Sequence, residues 1–509
     1  MNLKKHLGYC LMMVMACVGV TMSSCSSSNE TVEDKLENYI SDNTDFVYKI
    51  DLARTLEALD ATSNDDGQLT LSKDVSSVLR SALSKNERKA FDRFLDFKGF
   101  DWNNVIVGLK FKEIERDEVK MEMLLVFSVT DDDDFGESIV DASDGRMIVE
   151  DKNGYTTIGD TSGTIMVDGK TGYIAVTEDG VCMPTRAAEI IENWHKEAKD
   201  NPLAEWKTKF LAEAKIGTGL MSMKPIVKAA SLDRDGRQGL AMIPSDVKNG
   251  YIAMTFDVNG PSVSASLAVF NGEGGKVKIP GFRECNPSLT KYASNSDQLI
   301  ACAGMGDLSQ FRNQIIQAAP YDSAVIDFCN YILPLCDNSS VMFSAGAKDI
   351  NAFNSSSPAD FHMVFAASFK DASAARTIYD LIANNLGQSG GNEFTVQVPA
   401  GSRFNNYTYE YESIYMTVYG RIEGTDVILS NAPIQQNGKV RTSDFAGKNF
   451  AIVLNVPKND PVLSGLNLPV GAKATLSVTG SETDAQISLT GTNKKLINAL
   501  LDIAMGMGV

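Results

Sequence analysis

Past residue 25 the chain carries two histidines, His195 and His362, and five cysteines, Cys182, Cys285, Cys302, Cys329 and Cys336. Nucleophilic hydrolysis needs a hydroxyl or thiol with a base beside it. His195 follows Trp194 in a Lys/Glu-rich helical stretch, and a solvated helix face accounts for it. His362 sits in a strand pattern. No Gly-x-Ser-x-Gly stands at a strand-to-helix turn, where a nucleophile elbow needs it. No residue singles out a Ser-Lys or carboxylate mechanism. The expectation is therefore no enzyme, with a hydrolase of unrecognised site as the alternative. Five cysteines leave at least one thiol without a partner inside the chain, and their spacing fits no zinc motif. They read as small buried hydrophobes, with a disulfide among them open in an exported protein.

Three short stretches imitate ligand sites. Gly169-Lys170-Thr171 has the end of a phosphate loop, but Thr164 stands where the first glycine belongs and strands flank it on both sides. It reads as a hairpin turn. Asn64 to Leu69 resembles half a calcium loop, yet Thr62 and Lys73 occupy its first and twelfth positions. Asp131 to Asp134 could gather a cation, or could serve the N-terminus of the helix that follows, whose free N–H groups favour negative charge. Asp371 at a matching place favours capping. No metal and no cofactor are expected.

A tyrosine row is the sharpest binding candidate. Tyr407, Tyr409, Tyr411, Tyr415 and Tyr419 share parity, and a strand puts same-parity residues on one face. The other face changes from Thr408, Glu410 and Glu412 to Ile414, Met416 and Val418. Tyr415 and Tyr419 therefore point outward, Tyr407, Tyr409 and Tyr411 are read as facing inward with the acids outward, and a bend near Ser413 would split the row. Exposed, the row could stack on sugar rings or on a protein. Otherwise it is half core and half ordinary strand surface.

The remaining chemistry is at the start. Lys4 and Lys5 precede an apolar run, Leu7 to Thr21, and then Met22-Ser23-Ser24-Cys25. The run is too short to span a bilayer and has the order of a secretory signal. The ending resembles a bacterial lipobox, with Met22 where leucine is usual. Cys25 would carry a thioether lipid and become the first residue. The alternative is an ordinary signal with a coincidental cysteine. A net charge of −18 argues against nucleic acid and anionic lipid surfaces.

The elements that follow are α+β. Residues 1–24 are read as signal peptide and 25–44 as a Ser-rich, then acidic, tether. Module one covers 45–275 and includes a helix-pair insertion at about 186–214, broken at Asn201-Pro202. A linker covers 276–294. Module two covers 295–509 and ends in an amphipathic helix. Each module is expected to be a largely antiparallel sheet with helices packed on it. Strand, helix and hairpin follow in the same order in both: Phe46 to Leu52 is echoed by Gln298 to Ala303, and Val105 to Phe111 by Val341 to Ala347. Met121 to Ile139 is echoed by Asp360 to Asn384, and Tyr251 to Phe270 by Ala472 to Thr490. The helix pair has no echo, so it either packs on module one or forms a lid or docking arm.

The lipobox, the opening Asp45-Phe46-Val47-Tyr48-Lys49-Ile50-Asp51-Leu52 and the two-copy layout resemble an uncharacterised lipoprotein family of Bacteroidota, a domain of unknown function. That resemblance implies an envelope lipoprotein, with no activity and no catalytic residues to transfer. Acidic residues directly after the cysteine often mark surface display in such proteins. Here Ser26 to Ser28 intervene before Glu30. The expectation is a protein exported and anchored to the cell envelope, most naturally at the outer membrane, through lipid on Cys25. Its role would be non-enzymatic, binding or structural, toward a protein or glycan partner. A glycan-binding accessory using the tyrosine face is the nearer alternative.

Overall fold

Alternating apolar residues dictate strands that bury one face, and this chain builds them into antiparallel sheet. The computed structural model describes residues 36–506, apart from 83–84, 116–117, 144, 153, 234–235, 238–239, 241–242, 279–280, 319–320, 350–351, 353–359, 406–409 and 462–469. Cys25, with the leader and the start of the tether, lies outside the described residues, as do Tyr407 and Tyr409. The fold class is α+β. Two compact units are present. One runs up to Val277 and includes Asn493–Asp502, and the other is Lys278–Thr492 with the chain end from Ile503.

In the first unit the strands are β1 (Phe46–Asp51), β2 (Phe100–Ile114), β3 (Val119–Val129), β4 (Tyr155–Asp160), β5 (Gly163–Asp168), β6 (Thr171–Thr177), β7 (Gly217–Ser222), β8 (Tyr251–Asn259) and β9 (Ser262–Phe270). β1 is central: Phe46 lies opposite Leu109 of β2 and Met221 of β7. The spatial order is β4-β5-β6-β3-β2-β1-β7-β8-β9, antiparallel throughout. β7 has no strand pattern in sequence because Gly217 and Gly219 supply no side chain. The Tyr48 ring lies in the space their Cβ atoms would take.

The second unit repeats that order. Its strands are β10 (Leu299–Met305), β11 (Ser340–Ala347), β12 (Phe361–Ser368), β13 (Glu393–Asn405), β14 (Glu410–Glu423), β15 (Asp426–Ser430), β16 (Phe450–Val456), β17 (Gly471–Thr479) and β18 (Glu482–Thr490). They lie as β13-β14-β15-β12-β11-β10-β16-β17-β18. The agreement reaches single hydrogen bonds. Asp45 accepts from the Phe111 amide at 2.8 Å, and Gln298 accepts from the Ala347 amide at 2.8 Å. The turns before them match as well, Thr44 N–H to Ser41 O at 3.0 Å and Asp297 N–H to Ser294 O at 3.1 Å.

Helices cover both faces of each central sheet. α1 (Asp132–Ala142) starts where Asp131 accepts from the Asp134 amide at 2.9 Å, so Asp131 caps its own helix. It packs Phe135 on Val107, Leu125 and Phe127. α2 (Pro184–Asp200) begins with proline at its first turn and ends at Asn201, and α3 (Glu205–Leu211) follows the predicted break. The pair is no free arm. Ile190, Ile191 and Trp194 are buried on the opposite sheet face with Ile106, Leu124 and Ala175. In the second unit α4 (Ala372–Asn385), capped by Asp371, packs Ala375 and Tyr379 against Phe394 and Val427. α5 (Leu496–Gly506) closes the chain. Its residues through Asp502 belong with the first unit rather than the second. There the Leu496 amide donates to Gly260 O at 2.8 Å and Lys495 pairs with Asp60 at 2.9 Å.

Burial raises the Asp45 carboxyl above its usual range, although the Phe111 amide and nearby lysines oppose this. Between the ordinary and the raised value the folded state binds more protons than the unfolded one. Stability contributed by this group therefore falls as pH rises through that window. Asp45→Asn, which keeps the acceptor, is expected to be at least as stable as wild type at pH 7 and to lose this pH dependence in urea titrations.

Candidate functional site

A buried carboxylate and a half-buried imidazole meet on the second unit. The turn Ser294–Asp297 leads into β10 and places Asp297 beneath the sheet face, with its side chain fully buried. Gly346 on β11 leaves room for it: a Cβ there would come 2.8 Å from Asp297 Oδ1 and 2.9 Å from its Cα. The register of β11 with β12 puts His362 opposite Gly346. His362 Nδ1 lies 2.7 Å from Asp297 Oδ1. Oδ2 takes the Ser294 amide at 2.9 Å and the Ser344 hydroxyl. Three donors thus hold one carboxylate. In a neutral imidazole this contact places the hydrogen on Nδ1 and leaves Nε2 as a lone-pair acceptor.

The imidazole lines a cavity of about 220 Å³. Val364, Pro433 and Ile434 supply apolar wall, and Tyr292, Ser294 and Asn437 supply polar edge. The Tyr292 hydroxyl lies 3.0 Å from both Glu423 Oε2 and Asp426 Oδ2, and Lys291 pairs with Asp426 at 3.2 Å. Burial, reinforced by Asp426, pushes the Tyr292 phenol far above its ordinary value, so it stays protonated and donates. Asp297→Ala would leave the buried Ser344 hydroxyl and the Ser294 amide without their acceptor. The expected cost to the second unit is about 2–3 kcal/mol, read as faster hydrogen exchange in β11 and β12. Asp297→Asn should recover part of it.

Other residues considered from sequence fall elsewhere. His195 is exposed on α2, its ring 5.2 Å from that of Tyr39. Gly169-Lys170 is the tight turn between β5 and β6. Asn64 accepts from the Gln68 amide at 2.8 Å, so its side chain holds a turn. The cysteines are free thiols, all but Cys336 buried. Gly387-Gln388-Ser389-Gly390-Gly391 does carry the Gly-x-Ser-x-Gly spacing, but it leads from α4 to β13, the reverse of the strand-to-helix order of an elbow. Among the described tyrosines, Tyr411 is 74% and Tyr415 59% exposed, while Tyr419 is half-buried. Only Tyr419 to Glu423 of β14 pair with β15. Residues 410–418 pair with β13 alone, so Tyr411 and Tyr415 stand on a two-stranded ribbon. Asp297 and Ser344 were not singled out from sequence. The available signal was polar residues at core-facing positions of apolar strands, Ser344 in β11 and His362 in β12.

No family model and no curated protein matches the chain. Among solved structures, one described as crystal form IV of TP0453 aligns over 46% of this chain and 78% of its own, at 7% identity and a TM-score of 0.27. A likeness that slight carries no argument about fold or function.

Proposed function

We propose that this protein is a lipid-anchored component of the bacterial cell envelope, held through Cys25, with a non-enzymatic role in binding a protein or glycan at the membrane face. The observation that carries the binding role is the ribbon of β13 and β14. Two large aromatic rings, Tyr411 and Tyr415, are exposed four residues apart on one strand face. Tyrosine gives broad apolar contact with a polar tip and loses little side-chain freedom, which suits it to stacking on sugars or proteins. The leader, the lipobox-like ending and the acidic mature chain support the location.

The test is a pull-down from detergent-solubilised envelope with the wild-type protein and with a Tyr411→Ser/Tyr415→Ser variant. Wild type is expected to retain a partner or glycan that the variant retains about tenfold less, since losing one central aromatic anchor is worth about 1–2 kcal/mol or more. Equal recovery by both would remove the ribbon from the binding role. A hydrolytic reading is favoured by the Asp297–His362 bond, which would orient His362 as a base toward a bound water. Turnover of a chromogenic ester or glycoside by wild type and not by His362→Gln would support it.

A further inference from the structure

The two units differ most where the cavity lies. The matched registers equate Thr44 with Asp297, Gly108 with Ser344, Lys110 with Gly346, Glu122 with His362 and Leu124 with Val364. In the first unit α2 covers these positions. The Trp194 ring occupies the space over Gly108, Lys110 Nζ sits 4.0 Å from the ring centroid, and Arg186 pairs with Glu122 at 3.1 Å. In the second unit the connection from β15 to β16 is only 431–449, with one short helix, Thr442–Phe445. No tryptophan stands over this face in the second unit: Leu289, Tyr292, Ile434 and Phe445 pack on it and leave the cavity beside His362, and its polar residues have changed, a buried carboxylate and an imidazole replacing threonine and glutamate.

We infer that this cavity is a binding site for one ring of an uncharged saccharide, or a neutral polyol of that size, which donates an O–H to Nε2 of His362. Three observations set the ligand class. The volume lies below the roughly 300–1,000 Å³ of pockets that hold drug-sized ligands, so a single ring fits. Among the described residues, the lining holds no lysine, arginine, aspartate or glutamate, which favours an uncharged ligand. The neutral imidazole offers an acceptor, and at the edge Asn437, whose Nδ2 donates to Gln435 Oε1 at 2.7 Å, and Gln435 add the amide groups that hydroxyls pair with. Val364, Pro433 and Ile434 give the apolar side a sugar ring lies against. This deepens the glycan side of the proposed binding role but uses none of the ribbon, so either can fail without the other.

The experiment is saturation-transfer NMR on the mature protein. The neutral probes are glucose, galactose, mannose and N-acetylglucosamine. Glucuronate and glucose 6-phosphate form the charged arm, and a neutral trisaccharide tests a chain end against a free sugar. At least one neutral probe is expected to receive transfer. His362→Phe should weaken it about tenfold, the value of one buried hydrogen bond. Ala432→Trp, which fills the cavity, should abolish it. Thermal melting identifies any variant that fails to fold, and the other cavity variant then decides. No transfer to any neutral probe, transfer to charged probes alone, or transfer untouched by the folded cavity variants would overturn the assignment.

Discussion

A Cys25→Ser variant is expected to take up no fatty acid and to disappear from the outer-membrane fraction. The proposed anchor needs a thiol nucleophile, and serine keeps the size without that reactivity. Each acyl methylene buried in the bilayer contributes about 0.8 kcal/mol, and two or more chains make anchoring stable. No helix among the described residues is long and apolar enough to cross a membrane. The check is metabolic labelling with an alkynyl fatty acid, followed by fractionation. Label of equal intensity on the variant would show that Cys25 is not the acceptor.

Trp194→Ala is expected to destabilise the first unit by about 3–5 kcal/mol, the range for removing a buried large aromatic. The ring is 1% exposed and fills the space over Gly108, where a Cβ would come 2.5 Å from it. It also faces Lys110, whose pKa burial pushes down while Glu197, 2.6 Å away, supports the charge. Loss of the ring leaves a void against Ile40 and removes the cation–π contact with Lys110. The chain's three tryptophans, Trp102, Trp194 and Trp206, all lie in the first unit, so the fluorescence of the other two reports its unfolding in urea. A loss below about 1 kcal/mol would mean that the site collapses around the smaller side chain. Gly108→Val tests the same contact from the sheet side and should be similarly disruptive.

Much of the architecture was legible because single elements carried their own signals. Met121 to Val129 is a short apolar run, as a strand buried on both faces is, Asp131 and Asp371 precede helices they cap, and Asn201-Pro202 breaks the helix pair where the sequence says it should. β7 and β16 were not legible. Gly217 and Gly219 erase the alternation in β7, and its place beside β1 follows from sheet pairing, a property of no local stretch. The site was hidden for a related reason. His362 and Asp297 are 65 residues apart, and only the register of β10, β11 and β12 brings them to 2.7 Å. A histidine in a strand could be noticed, but its carboxylate partner lies in a turn that sequence periodicity does not describe. Tyr415 was legible as outward-facing, whereas Tyr411, in the half of the row read as facing inward, is exposed and Tyr419, read as outward, is half-buried. The standing of Tyr411 and Tyr415 on a ribbon depends on where β15 stops, which is again a pairing question.

The placement of α5 has a consequence for how the protein is made. The first unit is discontinuous: its last piece, Asn493–Asp502, is synthesised after residues Lys278–Thr492 of the second unit. Domains usually fold as they emerge, amino-terminal first. Here the earlier unit waits for its final segment while most of the later one is made in between. The same layout makes the last turns of the gene a quality check, because a message truncated before codon 493 yields a first unit without the Leu496 and Lys495 contacts that close it.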